Sequence, residues 1–81
     1  MEALERAITR TLALRKLPPL ATRRLIREQA GVSQQALAET VGVSRESISR
    51  WEIGDRQPKH GDHAERYLKA LEYLANSDAL A

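Results

Sequence analysis

The sequence predicts an all-α fold of five short helices, and three observations carry that reading. No stretch of the 81 residues alternates apolar and polar positions with period two, so strands are not expected. Apolar residues instead recur three and four apart, the spacing that lines up one face of a helix. Glycines and prolines fall between those segments, where helices stop. The chain has no Phe, one Trp and two Tyr. Its core must therefore be built mainly from Leu, Ile, Val and Ala, as in a small helical bundle.

Each element has its own justification. Residues 3–16 place Leu4, Ala7, Ile8, Thr11, Leu12 and Arg15 at helical spacing. Leu17-Pro18-Pro19 ends that helix, because neither proline can donate and each pushes its predecessor out of the α region. A second helix is expected from about Ala21 to Ala30, with Leu25 and Ile26 facing inward and Gly31 as its stop. Ser33 caps a third, from Gln34 to about Val41, whose apolar face is Leu37, Ala38 and Val41. Ala38 is small where the next helix should cross closely. Gly42 allows the positive φ of a sharp exit, and Val43 plugs the turn. Ser44 then caps Arg45–Ile53 by accepting from the amide of Glu46 or Ser47. Ile48 and Trp51 form the buried stripe of that helix, and Gly54 ends it. A polar loop containing Pro58 leads to a last helix near Asp62, capped by Gly61 or Asp62. That helix carries Tyr67, Leu68, Leu71 and Leu74 on one face and is expected to fray after Asn76. The expected organisation is an N-terminal helix and Pro-Pro connector (1–19), one domain (20–76) and a frayed tail (77–81).

Composition bounds the function. There is no cysteine, so disulfides and thiolate metal sites are excluded. No apolar run approaches the ~20 residues of a membrane span. Glu2 and Glu5 stand where a secretory signal would be basic, so a cytoplasmic location is expected. The net charge of +2 is small, but it is unevenly spread. Residues 1–40 hold seven Lys/Arg against four Asp/Glu, and residues 61–81 hold two against four. Such an asymmetry can present a basic face to phosphates, and it is equally compatible with an ordinary mixed helical surface.

The pair 34–41 and 45–53 has the local signals of a helix-turn-helix: a small crossing residue, a glycine exit and a serine cap. Ile48 and Trp51 anchor the second helix, which leaves Arg45, Glu46, Ser49 and Arg50 outward. Arginine's planar fork matches the O6/N7 pair of guanine in a major groove. Arg45 and Arg50 lie roughly 140° apart around the axis and cannot both enter the groove directly. Arg45 is the expected base reader. Arg50 is left to a flanking base or a phosphate. Glu46 can accept from cytosine, orient an arginine or complete a cap, and orientation is preferred because phosphates repel a bare carboxylate.

Four pieces in register make the chain similar to the Cro/phage-repressor helix-turn-helix proteins, often called XRE-like. They are Arg27-Glu-Gln-Ala-Gly-Val-Ser-Gln-Gln-Ala-Leu-Ala, Val41-Gly-Val-Ser, Ile48-Ser-Arg-Trp-Glu-Ile-Gly and Arg56-Gln-Pro. The resemblance spans about residues 20–74. It implies a small lambda-repressor-like helical bundle, with residues 1–16 as an extra N-terminal helix. It also implies a sequence-specific, double-stranded-DNA-binding transcriptional regulator. Ser44, Arg45, Glu46, Ser49 and Arg50 would read bases. Gln34, with Gln35 beside it, would touch phosphate, as would Arg56 and Lys59 after the Gly54 turn. Arg27 and Glu52 would form a structural pair.

The family's usual further helix has almost no sequence left after Leu74. Leu4, Ile8, Leu12 and neighbouring positions are therefore expected either to stand in for it or to pair with a second copy. A homodimer, at least on DNA, would fit the family's near-palindromic sites. A phage or prophage Cro-like protein or small repressor is the leading role. An antitoxin or restriction-modification controller is the alternative, and a protein-interaction module on the same fold is the reading from another class. An enzyme is not expected, because no nucleophile, carboxylate pair or phosphate-cradling loop stands out. No cofactor and no small-molecule ligand are implied. His60 and His63 lack further ligands for a metal. Trp51, Tyr67 and Tyr73 are expected to be packing residues, the tyrosine hydroxyls reaching solvent. Arg15, Lys16, Arg23 and Arg24 are split between phosphate contact and a solvated face.

Overall fold

The computed structural model describes residues 2–80, with side chains described through Ser77. Five helices and no strand form among those residues: α1 (Glu2–Lys16), α2 (Leu20–Gln29), α3 (Gln34–Val41), α4 (Arg45–Ile53) and α5 (Gly61–Leu80). The caps follow from the residues present. Ser33 accepts from the Ala36 amide and Ser44 from the Ser47 amide, each satisfying a donor that the first turn of a helix leaves open. Gly42 and Gly54 close α3 and α4 with φ of 87° and 90°, left-handed conformations that a side chain would disfavour. The Gly42 and Val43 amides both bond back to the Ala38 carbonyl, so the turn is hydrogen-bonded as well as tight.

The core lies where α3, α4 and α5 meet. Leu37, Ala38, Val41, Ile48, Ala64, Tyr67 and Leu71 are almost wholly enclosed, with Trp51 and Leu68 at its margin. α5 is the central element and touches α1, α2 and α3, while α3 packs on α4. α1 lies against α5 through Ala13, Leu14 and Leu17. The two backbones come very close at one point. A Cβ at Gly61 would stand 2.8 Å from the Arg6 carbonyl, so no larger residue fits there unless a helix shifts. Arg10 Nε donates to the Pro58 carbonyl at 2.7 Å and fastens the loop before α5 to α1.

Several expectations are corrected. Leu25 is half exposed rather than buried, and α2 turns Arg23 and Arg27 inward instead. At about 100° per residue, Leu25 falls nearly opposite those two, so the helix cannot bury all three. The arginine stems provide the apolar contact while their heads are hydrogen-bonded. Arg23, a split candidate between phosphate and solvent, is enclosed. Its Nε donates to the Pro18 carbonyl, and its Nη1 donates to the Trp51 carbonyl and the Gln57 side chain. α5 begins at Gly61, with the Ala64 amide on the His60 carbonyl, so neither Gly61 nor Asp62 is its cap. Its backbone is helical past Asn76 to Leu80, while Met1, Ala81 and the side chains of 78–80 lie outside the description. Leu4, Ile8 and Leu12 are about half exposed, and α1 packs on α5 through the neighbouring Ala13 and Leu14 instead.

Tyr67 departs from expectation in another way. Its ring packs 4.9 Å from that of Trp51, and its hydroxyl is buried with no partner among the described residues. Burial pushes the phenol up to about 12. The folded chain thus favours the neutral phenol. Stability from this group is complete below pH ~10 and is lost as pH rises toward 12. Tyr67→Phe is expected to flatten that alkaline loss, and to raise stability near neutrality by about 1 kcal/mol because an unsatisfied hydroxyl is removed. Urea titrations at pH 7 and pH 11 check both; a destabilised phenylalanine variant would mean that the hydroxyl has a partner.

Candidate nucleic-acid interface

α4 presents its first turn and one side to solvent because Ile48, Trp51 and Glu52 hold its other side in the core. Arg45 stands on the exposed crest of the first turn, immediately after the Ser44 cap. Among the described residues it has no hydrogen bond or ion pair. Arg50 is different. Its Nε and Nη2 donate to Glu46 at 3.1 and 2.9 Å, and its Nη1 donates to Asp55 at 3.1 Å. Glu46 therefore orients Arg50, one of the three roles open to it from sequence, and Asp55 is a second acceptor that the sequence did not single out. The pairs are solvent-exposed and worth little stability, but they hold the guanidinium in place.

The remaining candidates fall on the two flanks of α4. On one side an open cleft brings Ser44, Glu46 and Arg50 together with Arg56, Lys59 and His60. On the other, Ser49 shares a shallow groove with Gln34 between α2 and α4. Ser44 and Ser47 hydroxyls lie 3.0 Å apart, so Ser44 is engaged in capping α4. Gln35, next to Gln34 at the start of α3, is exposed and donates to Glu39.

Beneath the groove lies the most deeply buried ion pair among the described residues. Arg27 Nε and Nη2 donate to the two Glu52 oxygens at 2.6 and 3.1 Å, and Nη1 donates to the Val32 carbonyl at 2.9 Å. The pair is buried, and the Glu52 hydrogen bond holds the Arg27 guanidinium above its ordinary pKa. A two-point fork between charges is stronger and more directional than a neutral contact. Gln34 Nε2 also donates to Glu52, at 3.1 Å. The start of α3 and the inner face of α2 are thus both tied to the end of α4 through one carboxylate.

Sequence reasoning gave Arg23 no structural role, did not single out Asp55, and weighed His60 and His63 only as metal ligands. Arg23 and Arg27 are four apart on one helix face, a spacing that marks them as a pair. His60 and His63 line the same cleft as Arg56, their rings edge to face with centroids 5.4 Å apart. Among the described residues no group of three or more His, Cys, Asp or Glu converges. Nor is any described helix long and apolar enough to cross a membrane.

A family model described as Helix-turn-helix matches residues 24–73, well over half of the chain. The chain belongs to the Cro/phage-repressor (XRE-like) helix-turn-helix family. It is a DNA-binding helix-turn-helix protein, with α3 and α4 as the two helices of the motif. The matched segment starts inside α2 and ends inside α5, so α1 lies outside it. No curated protein and no solved structure matches the chain.

Proposed function

We propose that this helix-turn-helix protein is a sequence-specific, double-stranded-DNA-binding transcriptional regulator of the small-repressor or Cro-like kind. It works in the cytoplasm and lays α4 in the major groove. The observation that carries the reading is Arg45, an exposed and unengaged guanidinium on the first turn of a helix whose rotation is locked from beneath. A fork held at that position matches the paired acceptors of guanine. Arg50 keeps two of its five N–H donors beyond its three bonds to Glu46 and Asp55, and these suit a flanking base or a phosphate. Ser44, Ser49 and Glu46 complete the base-facing surface.

Phosphate contacts are assigned to Arg56 and Lys59 on one flank, and to Gln34 and Gln35 on the other. Gln34 has a second amide N–H to offer while it holds Glu52. One such helix spans only about 4–6 base pairs, so two copies on a near-palindromic site are the expected binding unit. An antitoxin or restriction-modification controller would use the same interface with an added partner.

Selection of bound fragments from a random duplex library tests groove reading, half-site spacing and symmetry together. On the selected site Arg45→Ala is expected to cost about 1–3 kcal/mol and to relax preference at one base pair. An equal loss on random duplex would move Arg45 to the backbone. Recovery of no sequence above background would sink the proposal.

A further inference from the structure

α1 uses only one of its faces inside the molecule. Ala13 and Leu17 are buried against the core and Leu14 packs beside them. On the opposite face Leu4, Ile8 and Leu12 are 55, 49 and 48% exposed. Spaced by four, they stack into a single aliphatic ridge, each step climbing about 6 Å along the axis. A contiguous apolar line of this kind marks an interaction surface far more often than scattered single residues do.

We propose that this ridge is a self-association surface, on which a second copy of the chain lays its own α1 antiparallel. Two features select that occupant and that direction. The first is shape. The small side chains of Ala7 and Thr11 run alongside the ridge and, with Ile8, Leu12 and Arg15, form a shallow groove that accepts an identical ridge at close range. The second is charge. The first turn of α1 carries Glu2 and Glu5, and its last turn carries Arg15 and Lys16. An antiparallel partner sets each acidic end beside the other copy's basic end, whereas a parallel partner sets like against like. Glu5 and Lys16 fall on the same flank of the ridge, roughly 20° apart around the axis, so the attraction lies along the edge of the contact. The register that pairs every ridge residue puts Ile8 on the two-fold axis against its own copy, with Leu4 of each chain against Leu12 of the other.

The pairing supplies a surface for the two-copy unit proposed above. It needs no DNA, so its failure and the failure of groove reading are separable. Sedimentation of the full chain without DNA, from micromolar to submillimolar concentration, should show dimers. Ile8→Glu puts two carboxylates on the axis and should raise the dimer dissociation constant by about thirtyfold or more. Its helical circular dichroism and its affinity for a single half-site duplex should be unchanged. Because the chain has no cysteine, direction can be read by cross-linking. Leu4→Cys and Leu12→Cys proteins, oxidised as a mixture, should form the mixed disulfide, while neither forms its own readily. A monomeric wild type, an Ile8→Glu variant that stays dimeric, or cysteine variants that each cross-link to themselves would overturn the proposal. Should Ile8→Glu fail to fold, the cysteine mixture decides alone.

Discussion

Replacing Glu52 with alanine is expected to lower the unfolding free energy by about 3–5 kcal/mol, the cost of leaving a buried charge unpaired. Arg27 would keep one bond to the Val32 carbonyl and lose both of its charged ones. Gln34 would lose its acceptor as well, so the start of α3 and the end of α4 come untied together. Domains have only about 5–15 kcal/mol in hand, and a loss of this size in so short a chain should lower Tm by more than about 10 °C. The informative control is the double variant Arg27→Met with Glu52→Leu. Apolar replacement of both partners is often neutral, so most of the lost stability should return. Urea titrations of the three proteins measure this. A single variant within about 1 kcal/mol of wild type would show that the pair is not what holds the motif.

Trp51→Ala is expected to cost a similar 3–5 kcal/mol, for a different reason. Trp51 is 5% exposed and packs on Tyr67, and its carbonyl takes the Arg23 guanidinium. Truncation opens a cavity under the last turn of α4, and the buried Tyr67 ring loses its neighbour. DNA affinity should fall in step with the folded fraction, and it should recover where a stabilising osmolyte restores folding. Trp51→Phe, which retains a ring in the same space, should lose much less. If Trp51→Ala left stability intact while abolishing binding, the indole would have to be touching DNA, contrary to its enclosed position.

Much of the architecture was legible because local rules agreed with the fold. Ser33, Gly42, Ser44 and Gly54 each signal a helix end through backbone chemistry that operates within a few residues, and all four sit at the boundaries observed. The Arg27–Glu52 pair followed from resemblance, and the geometry supplies its reason in a two-point fork. What stayed hidden was decided at long range. The spacing of Arg23 and Arg27 puts them on one face of α2, but nothing local to residues 20–30 says that this face turns inward and Leu25 outward. That choice depends on acceptors at Trp51, Gln57 and Glu52, far along the chain. The hydroxyl of Tyr67 is a similar case, because only the arrangement of neighbouring helices determines whether water reaches it. The helical period of α1 was plain, but periodicity does not say which side faces the molecule. Among the candidate DNA contacts, exposure of Arg45 was foreseeable from its place at the start of α4. Orientation of Arg50 by Glu46, four residues before it on the same helix, was open from sequence, whereas the Asp55 contact needed the loop after Gly54 to fold back.

The missing side chain at residue 61 makes the amino-terminal helix more than an appendage. With the Arg6 carbonyl seated where a methyl group would have to go, the two helices mesh like a key in a slot, and Arg10 latches the adjoining loop. Lys59, one residue from that latch, borders both the hollow beside the first helix and the cleft beside α4. The outer ridge and the rim of that cleft are thus carried by a single packed body, held together by backbone as well as by side chains.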